Sequence, residues 1–455
     1  MVEKFPYGAA PFWLLIIAVS SSLLLAITRS ERPPRPDLAM LTFTEAHYGA
    51  YAKVLPEFER KHNVKVQLQL TDWRALQSRL RNSMLAGTDV PDLVEVMAEG
   101  TLGFFTQGPR EDIGLMDLTD KVREEGLDRD LVASRFSLLT TRGRIYALPH
   151  DVHPMVLAYR RDLVEELGID VERLDTWEKF AEVGRRISRD ENGDGILDRY
   201  MLDLPQNGNW AMTALYLQRG GHLFDEQGRV AFDNQLLADL FVWYLRQTIG
   251  QQRIAYDCGF GQPFFQAMKD GLVLFFFTPD WRSFSYEHEM PSLKGKLALM
   301  PLPAWEPGGR RTSVWGGTGL LISKRTKHPE LAWELAKFLY FTPEHLGQRF
   351  LETNIIPPLK TAWDLPAFHQ PNPYFSNQPI GRIFAELAPE TPPVHSAPVD
   401  SVARIKIDEA YARVIQHYKK QGEAGLMDKI REEIDRAAAY VRRMAKRGEV
   451  LVEGD

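Results

Sequence analysis

Between residues 38 and 96, short apolar stretches alternate with helical patterns, and this alternation constrains the fold more than any other feature. Strands are predicted at 38–43, at 64–70, where Val and Leu alternate with Lys and Gln, and at 91–96. Helical patterns at 47–62 and 72–85 lie between them. The order strand, helix, strand, helix, strand predicts a parallel sheet covered by helices, so we expect an α/β fold.

Bulk properties narrow the class of protein further. With 455 residues the chain is too long for one ordinary hydrophobic core, so we expect two domains. A net charge of −6, without a basic stripe interleaved with aromatic residues, argues against nucleic acid as a partner. Cys258 is the single cysteine, which excludes an intramolecular disulfide, a cysteine zinc site and a lipidated cysteine after the N-terminal apolar segment.

The stretch 145–162 is an apolar run that Pro149 and Pro154 interrupt. Proline fixes φ and lacks a hydrogen-bond donor, so each proline is expected to end an element. The polar residues between the prolines, at 150–153, are therefore predicted to lie where one strand stops and the chain crosses over. A helical pattern follows, and Asp175 or Thr176 is expected to cap the next helix.

Several short motifs follow one another in a fixed order along the chain. They are Tyr146-Ala-Leu-Pro149, Asp151, Tyr159-Arg-Arg-Asp-Leu163, Gly168, Thr176-Trp-Glu-Lys-Phe180, Gly220-Gly221 and Gly316-Gly-Thr-Gly319. In this order they resemble family 1 of the extracellular solute-binding proteins, the maltose-binding-protein-like components of ABC sugar importers. Arg160 stands where that family usually has Asn.

The resemblance implies a two-lobe periplasmic-binding-protein fold of type II, whose lobes are joined by a multi-stranded hinge. It places residues 38–149 and 272–325 in lobe I, and residues 150–271 and 326–455 in lobe II. It also implies a monomer that captures a carbohydrate between the lobes and delivers it to the permease subunits of an ABC transporter, with no organic cofactor and no catalysis.

A carbohydrate site needs aromatic side chains for the apolar sugar faces and polar groups for the hydroxyls. Strand ends are where open α/β sheets bind ligands. Trp281 and Trp315 are predicted to stack on sugar rings, and Asp151 and Arg282 to bond hydroxyls. The full set of predicted ligand-binding residues is Glu45, Tyr48, Asp151, His153, Asn209, Trp210, Trp281, Arg282, Trp315, Gly316 and Gly317.

The segment 190–198 matches the first nine positions of a calcium loop, in which oxygen ligands at alternate positions point at one ion. The predicted ligands of a structural Ca²⁺ are Asp190, Asn192, Asp194, Ile196 through its carbonyl, and Asp198. Met201 occupies the last position, where a bidentate Glu is expected. A solvated acidic turn that binds nothing is the alternative.

The N-terminal apolar run at 12–27, with Lys4 before it, lacks a good cleavage site and favours an uncleaved signal anchor at 12–28. A cleaved signal peptide is the alternative. Residues 1–37 then form the anchor and a proline-rich spacer, and the body is expected at the periplasmic or extracellular face of the cytoplasmic membrane. Three arginines at 29–35 oppose this orientation under the positive-inside rule.

Two alternatives differ in class from a transport component. A glycoside-acting enzyme needs two carboxylates that flank one bond, for which Asp151 with Glu45 or Asp280 would be the candidates. A membrane-tethered sugar sensor or adhesion subunit would use the same fold without transport, and the sequence does not separate it from an importer component.

Overall fold

The chain is described by a computed structural model that covers residues 9–27, 36–87, 90–98, 101–106, 109–190, 193, 197–206 and 210–453. Its strands are β1 Leu38–Thr42, β2 Val66–Leu70, β3 Leu93–Met97, β4 Thr140–Thr141, β5 Arg144–Ile145, β6 Ala147–Pro149, β7 Met155–Arg160, β8 Tyr200–Asp203, β9 Ala255–Tyr256, β10 Val273–Pro279, β11 Leu297–Pro301 and β12 Thr318–Ile322.

The α-helices precede and follow these strands along the chain. They are α1 Ala9–Ile27, α2 Glu45–His62, α3 Trp73–Ala86, α4 Leu102–Phe105, α5 Thr119–Glu124, α6 Leu127–Asp130, α7 Ser134–Leu138, α8 Arg161–Glu166, α9 Trp177–Ile187, α10 Trp210–Gln218, α11 Gln235–Thr248, α12 Gln262–Asp270, α13 Asp280–Glu289, α14 Pro329–Phe341, α15 Pro343–Thr353, α16 Ile380–Leu387, α17 Asp400–Gln421 and α18 Leu426–Glu453.

The first sheet has the strand order β2-β1-β3-β12-β6. The β1 strand pairs in parallel with both β2 and β3, which confirms the parallel sheet expected from the alternation. The returning β12 strand is antiparallel to β3 and to β6. Tyr51 and Phe58 of α2 pack on one face of this sheet, and Leu76 and Leu80 of α3 lie in the core on the other.

The second sheet has the strand order β11-β7-β10-β8-β9. Along β10, Phe275 and Phe277 belong to the core below α9, α10 and α11, whereas Phe276 belongs to the core on the opposite face with α12 and α13. Side chains alternate between the faces of a strand, so a continuous apolar run is what a strand covered on both faces requires. The two sheets with their helices are the two lobes of an α/β fold.

Two parts of the predicted division between the lobes are corrected. The segment 272–325 was assigned to lobe I, but β10 pairs antiparallel with β7 and β11 does the same, so both strands lie in the second sheet. The helices α14 and α15 were assigned to lobe II, but both contact α2 in the first lobe. The apolar run of β10 predicts a buried strand, yet apolar character alone does not select the sheet.

Local capping follows the sequence. The Asp72 side chain accepts hydrogen bonds from the backbone N–H groups of Arg74 and Ala75 and starts α3. Of the two candidate caps of α9, Thr176 is the one whose side chain accepts from the Lys179 N–H. At the N-terminus, the described side chains of α1, at 13–23, are exposed. Among the described residues, no helix combines the length and apolar character that a membrane span requires, and the membrane anchor stays a prediction.

Candidate functional site

Adjacent extended segments connect the two sheets and form the hinge. The first crossing, 150–154, joins β6 to β7, and the second, 302–317, joins β11 to β12. They run side by side, since Pro154 forms an antiparallel bridge with Val314 and the adjacent Met155 N–H donates to the Ser313 carbonyl at 3.1 Å. The Val152 N–H donates to the carbonyl of Ile356 at 3.0 Å, which brings a third segment alongside. The sequence therefore places the first crossing correctly, between its two prolines.

A buried ion-pair cluster lies in this hinge, and we call Asp151, His153 and Asp280 the hinge cluster. Nδ1 of His153 lies 2.6 Å from Oδ1 of Asp280, and Nε2 lies 3.1 Å from Oδ2 of Asp151. Both carboxylates are fully buried. Burial lowers the pKa of the His153 imidazole, but the carboxylates on its two sides more than compensate and raise it to about 9. A protonated imidazole therefore bridges two carboxylates at neutral pH.

The hinge cluster is tied to several elements at once. Asp151 accepts from the Thr318 N–H at 3.1 Å and faces Arg135, whose Nη2 lies 3.5 Å from Oδ1. Asp280 accepts from the N–H groups of Trp281 and Ile356. Burial raises the pKa of the Asp151 carboxyl, but the opposing His153 and His150 hold it well below its usual range. Asp151 and His153, predicted as ligand-binding residues, instead brace the hinge.

The hinge cluster also bears on the glycoside-acting alternative. Asp151 and Asp280 do come together, but the His153 imidazole lies between them and both are fully buried. Glu45, the other candidate carboxylate, is exposed on the first turn of α2. The arrangement is that of a structural bridge, since two catalytic carboxylates must flank a bond of the substrate.

Beside the hinge lies an aromatic group, Trp210, Trp281 and Trp315, which we call the tryptophan cluster. The rings of Trp210 and Trp315 stack with centroids 3.9 Å apart and planes 8° apart. Trp281 meets Trp315 edge to face at 5.1 Å, and its indole N–H donates to the Trp315 carbonyl at 3.2 Å. All three side chains are half-buried. The fold thus brings together tryptophans from α10, α13 and the second crossing.

Arg282 lies beneath this cluster instead of facing the cleft. Its guanidinium carbon is 3.9 Å from the Phe264 ring centroid and 5.3 Å from that of Trp315, which is cation–π geometry. The side chain is buried and donates from Nη1 to the Phe277 carbonyl at 3.1 Å. The prediction of Arg282 as a hydroxyl partner is not matched by this placement, and its role is to support the aromatic rings.

A cavity of about 210 Å³ opens next to the stacked pair. Trp210 and Trp315 form one wall, and Arg404 and Asp408 of α17 reach it from another. The guanidinium of Arg404 is oriented by Asp400, which accepts from its Nε at 2.9 Å. The α17 residues could not be predicted for this cavity from the sequence, because their four-residue spacing is that of any helix face.

The remaining predicted ligand-binding residues that the structure describes lie in two places, on α2 and in the second crossing. Glu45 lines a separate cavity of about 410 Å³ between α2, α13 and α15, and the nearby Tyr48 is 37% exposed. Gly316 and Gly317 have φ of +95° and +151°, which favours glycine at both. A Cβ at Gly317 would lie 2.3 Å from Nη2 of Arg135, so the close approach there is to protein.

Asn209, and the predicted calcium ligands Asn192, Asp194 and Ile196, lie outside the described residues. Of the other two calcium candidates, Asp190 accepts from the Gly193 N–H at 2.6 Å and Asp198 donates from its backbone to the Arg189 carbonyl at 3.0 Å. These contacts define a turn, and the calcium site stays a prediction.

Comparison with known proteins agrees with this architecture. An arabinooligosaccharide-binding protein of Halalkalibacterium halodurans is 27% identical over 346 residues, which cover 74% of this chain and 75% of that protein. The arabinooligosaccharide-binding protein of Bacillus subtilis is 26% identical over 335 residues, covering 71% of this chain and 74% of that protein.

Among solved structures, the sugar-binding protein MalE of Xanthomonas citri superposes with a TM-score of 0.73 at 19% identity, covering 90% of this chain and 98% of that one. An extracellular solute-binding protein of family 1 gives a TM-score of 0.72 at 23% identity, covering 88% of this chain and 99% of that one. The model of the bacterial extracellular solute-binding proteins matches residues 43–344. Because this match spans more than half of the 455 residues, the chain belongs to the bacterial extracellular solute-binding protein family.

Proposed function

We propose that this protein captures a neutral oligosaccharide beside the tryptophan cluster and delivers it to the membrane permease of an ABC importer. The observation that carries the proposal is the stacked pair of Trp210 and Trp315 at the wall of a cavity that Arg404 and Asp408 also line. An indole face suits the C–H face of a sugar, and a guanidinium and a carboxylate suit its hydroxyls.

The size of the cavity bears on the ligand. Sites that enclose a whole drug-sized ligand measure ~300–1,000 Å³, and this cavity of about 210 Å³ is smaller. We therefore propose that it takes one end of the oligosaccharide, while the other sugar units extend along the cleft. The indole N–H of Trp210 is buried without an acceptor among the described residues, and a sugar oxygen would satisfy it.

Capture is proposed to close the lobes. Trp281 and Trp315 are attached directly to the hinge, since Asp280 accepts from the Trp281 N–H and Trp315 lies in the second crossing. A ligand can contact both these rings and the exposed side chains at the start of α2 only when the two lobes are near each other. Such a ligand shifts the population toward the closed form, which a permease can distinguish from the open form.

The relatives support the ligand class, because both of the relatives described above are named arabinooligosaccharide-binding proteins. Their names also place them among sugar-binding proteins, and family membership places this chain among extracellular solute-binding proteins. We propose that the N-terminal segment anchors the protein at the outer face of the cytoplasmic membrane, where the permease is accessible.

The proposal is tested by screening the purified protein for thermal stabilisation against neutral arabinooligosaccharides and maltooligosaccharides, with amino acids, dipeptides and inorganic phosphate as other solute classes. A ligand at 100 times its Kd stabilises the folded state by ~2.7 kcal/mol, which a melting curve resolves. We expect at least one oligosaccharide to raise the melting temperature and to bind one per chain in calorimetry. Stabilisation by another class with none by sugars would overturn the proposal.

A further inference from the structure

A second group of buried polar side chains lies on the lobe I side of the hinge, and solute capture does not account for it. His47 projects from the first turn of α2, Glu95 from β3 and His150 from the first crossing. All three are buried, with at most 3% of any residue exposed. Each residue offers one ligand atom, an imidazole nitrogen or a carboxylate oxygen, and these three atoms lie within 4.8 Å of one another.

His150 presents an unpartnered nitrogen in this group. Its Nδ1 lies 3.2 Å from Oδ2 of Asp151, whereas its Nε2 is buried without a hydrogen-bond partner in the part of the chain that the structure describes. With the Nδ1 proton held by Asp151, Nε2 carries a lone pair. Histidines that bind metals present this arrangement, in which a carboxylate behind the ring fixes the tautomer and the other nitrogen faces the ion.

Glu95 supplies a carboxylate that neighbouring hydroxyl groups hold in place. Its Oε1 accepts from the hydroxyls of Tyr51 at 2.6 Å and Tyr340 at 2.7 Å. Its Oε2 accepts from the Thr42 hydroxyl and lies 3.0 Å from Nδ1 of His47. The tyrosines fix the carboxylate from one side and leave Oε2 directed toward the histidines.

One of the separations between ligand atoms is close to the value that a metal ion imposes. Zinc bonds of ~2.0–2.1 Å at a tetrahedral angle hold two ligand atoms about 3.3 Å apart. Oε2 of Glu95 and Nδ1 of His47 are 3.0 Å apart, and the rings of His47 and His150 have centroids 4.1 Å apart. All three ligand atoms lie within 4.8 Å of one another, so the proposed site requires the two histidine rings to turn toward Glu95 when the ion binds.

We propose that His47, Glu95 and His150 form a binding site for a transition-metal dication, with Zn²⁺ the expected ion. Two imidazole nitrogens and one carboxylate oxygen are a donor set that zinc takes readily, and the fourth position is left for water. His47 binds in the tautomer that carries its proton on Nε2. The ion cross-links α2, β3 and the first crossing, and so fixes the lobe I end of the hinge.

The test uses full-length protein produced without a polyhistidine tag, stripped with a chelator and kept in excess calcium to saturate the acidic loop. Zn²⁺ and Co²⁺ are then titrated, with metal content measured after removal of free ions and the visible absorption of Co²⁺ recorded. We expect one equivalent of either metal per chain, with the intense visible bands of tetrahedral Co²⁺. Uptake of less than a tenth of an equivalent by the wild-type chain overturns the proposal.

Substitutions locate the ion. His150→Ala and Glu95→Gln should lose the bound equivalent and the cobalt bands, while His288→Ala, an exposed histidine of α13, should keep both. If His150→Ala binds as the wild type does, the site lies elsewhere and the proposal is wrong. X-ray absorption at the zinc edge of the wild type keeps the test decisive if a variant fails to fold. Two imidazoles in the first coordination sphere support the site, and a sphere without imidazole contradicts it.

Discussion

Replacement of His153 by Asn is the substitution for which the structure gives the most definite energetic expectation. His153 has φ +57°, a left-handed conformation that Asn adopts more readily than most residues, so the backbone is preserved. The imidazole is lost, and the fully buried Asp151 and Asp280 then lack their shared cation. Breaking a buried ion pair by removing one partner costs ~3–5 kcal/mol.

The pKa of His153 leads to a similar magnitude. Its folded value is about 9 against an ordinary 6.5, and at ~1.4 kcal/mol per pK unit the difference is on the order of 3 kcal/mol. Because the folded pKa is raised, this contribution to stability is fully present below pH 6.5 and is lost as the pH rises through about 9. His153→Asn should therefore be destabilised by about 3 kcal/mol near pH 6, and by much less near pH 10.

The assay is urea unfolding of the wild type and His153→Asn at a series of pH values from 6 to 10, with His288→Asn as the matched control. His288 is exposed and outside the hinge cluster, so its substitution should change the free energy of unfolding by no more than ~0.5 kcal/mol. A His153→Asn variant as stable as the wild type near pH 6, or a difference that stays constant to pH 10, would refute the charged bridge.

Further predictions concern the acidic loop, the N-terminus and the hinge glycine. Added calcium should raise the melting temperature of the wild type and not that of Asp194→Ala, and a wild type indifferent to calcium would count against the site. The chain should fractionate with membranes, and a soluble mature product that starts near Ser30 would exclude the anchor. Gly317→Ala should destabilise by ~2–4 kcal/mol, since φ is +151° and the new Cβ meets Arg135 and Leu138. The control is Gly49→Ala, in open space within α2, which should stabilise the protein by ~0.5–1 kcal/mol. Urea unfolding measures both variants, and an equal change in the free energy of unfolding for Gly317→Ala and Gly49→Ala would refute the steric argument.

Much of the fold could be predicted because periodicity and capping act locally. The alternation at 64–70 and the apolar run before Pro279 correspond to β2 and β10, and the helical pattern that starts at 72 corresponds to α3, which Asp72 caps. The sheet to which β10 belongs could not be predicted, because its side chains are apolar on both faces and would suit either sheet.

The site was harder to predict because it depends on which residues approach each other from distant parts of the chain. The tryptophan cluster was anticipated from residue type, since few other side chains suit a sugar face. Asp151 has the residue type of a hydroxyl partner, but its burial beside His153 and Arg135 gives it a structural role. Arg404 and Asp408 lie on an ordinary helical stripe, and only the packing of α17 against α11 and α18 directs them to the cavity.

The central claim is that the ligand stacks on the tryptophan cluster, and calorimetric titration of Trp315→Ala with the oligosaccharide found by screening tests it most directly. Loss of a stacked indole removes buried area and ring geometry worth ~2–4 kcal/mol, so affinity should fall by roughly 30- to 1,000-fold. Trp305→Ala is the control, because Trp305 belongs to the same crossing but packs against Trp177 and Trp243. Wild-type affinity in a folded Trp315→Ala variant would contradict the account.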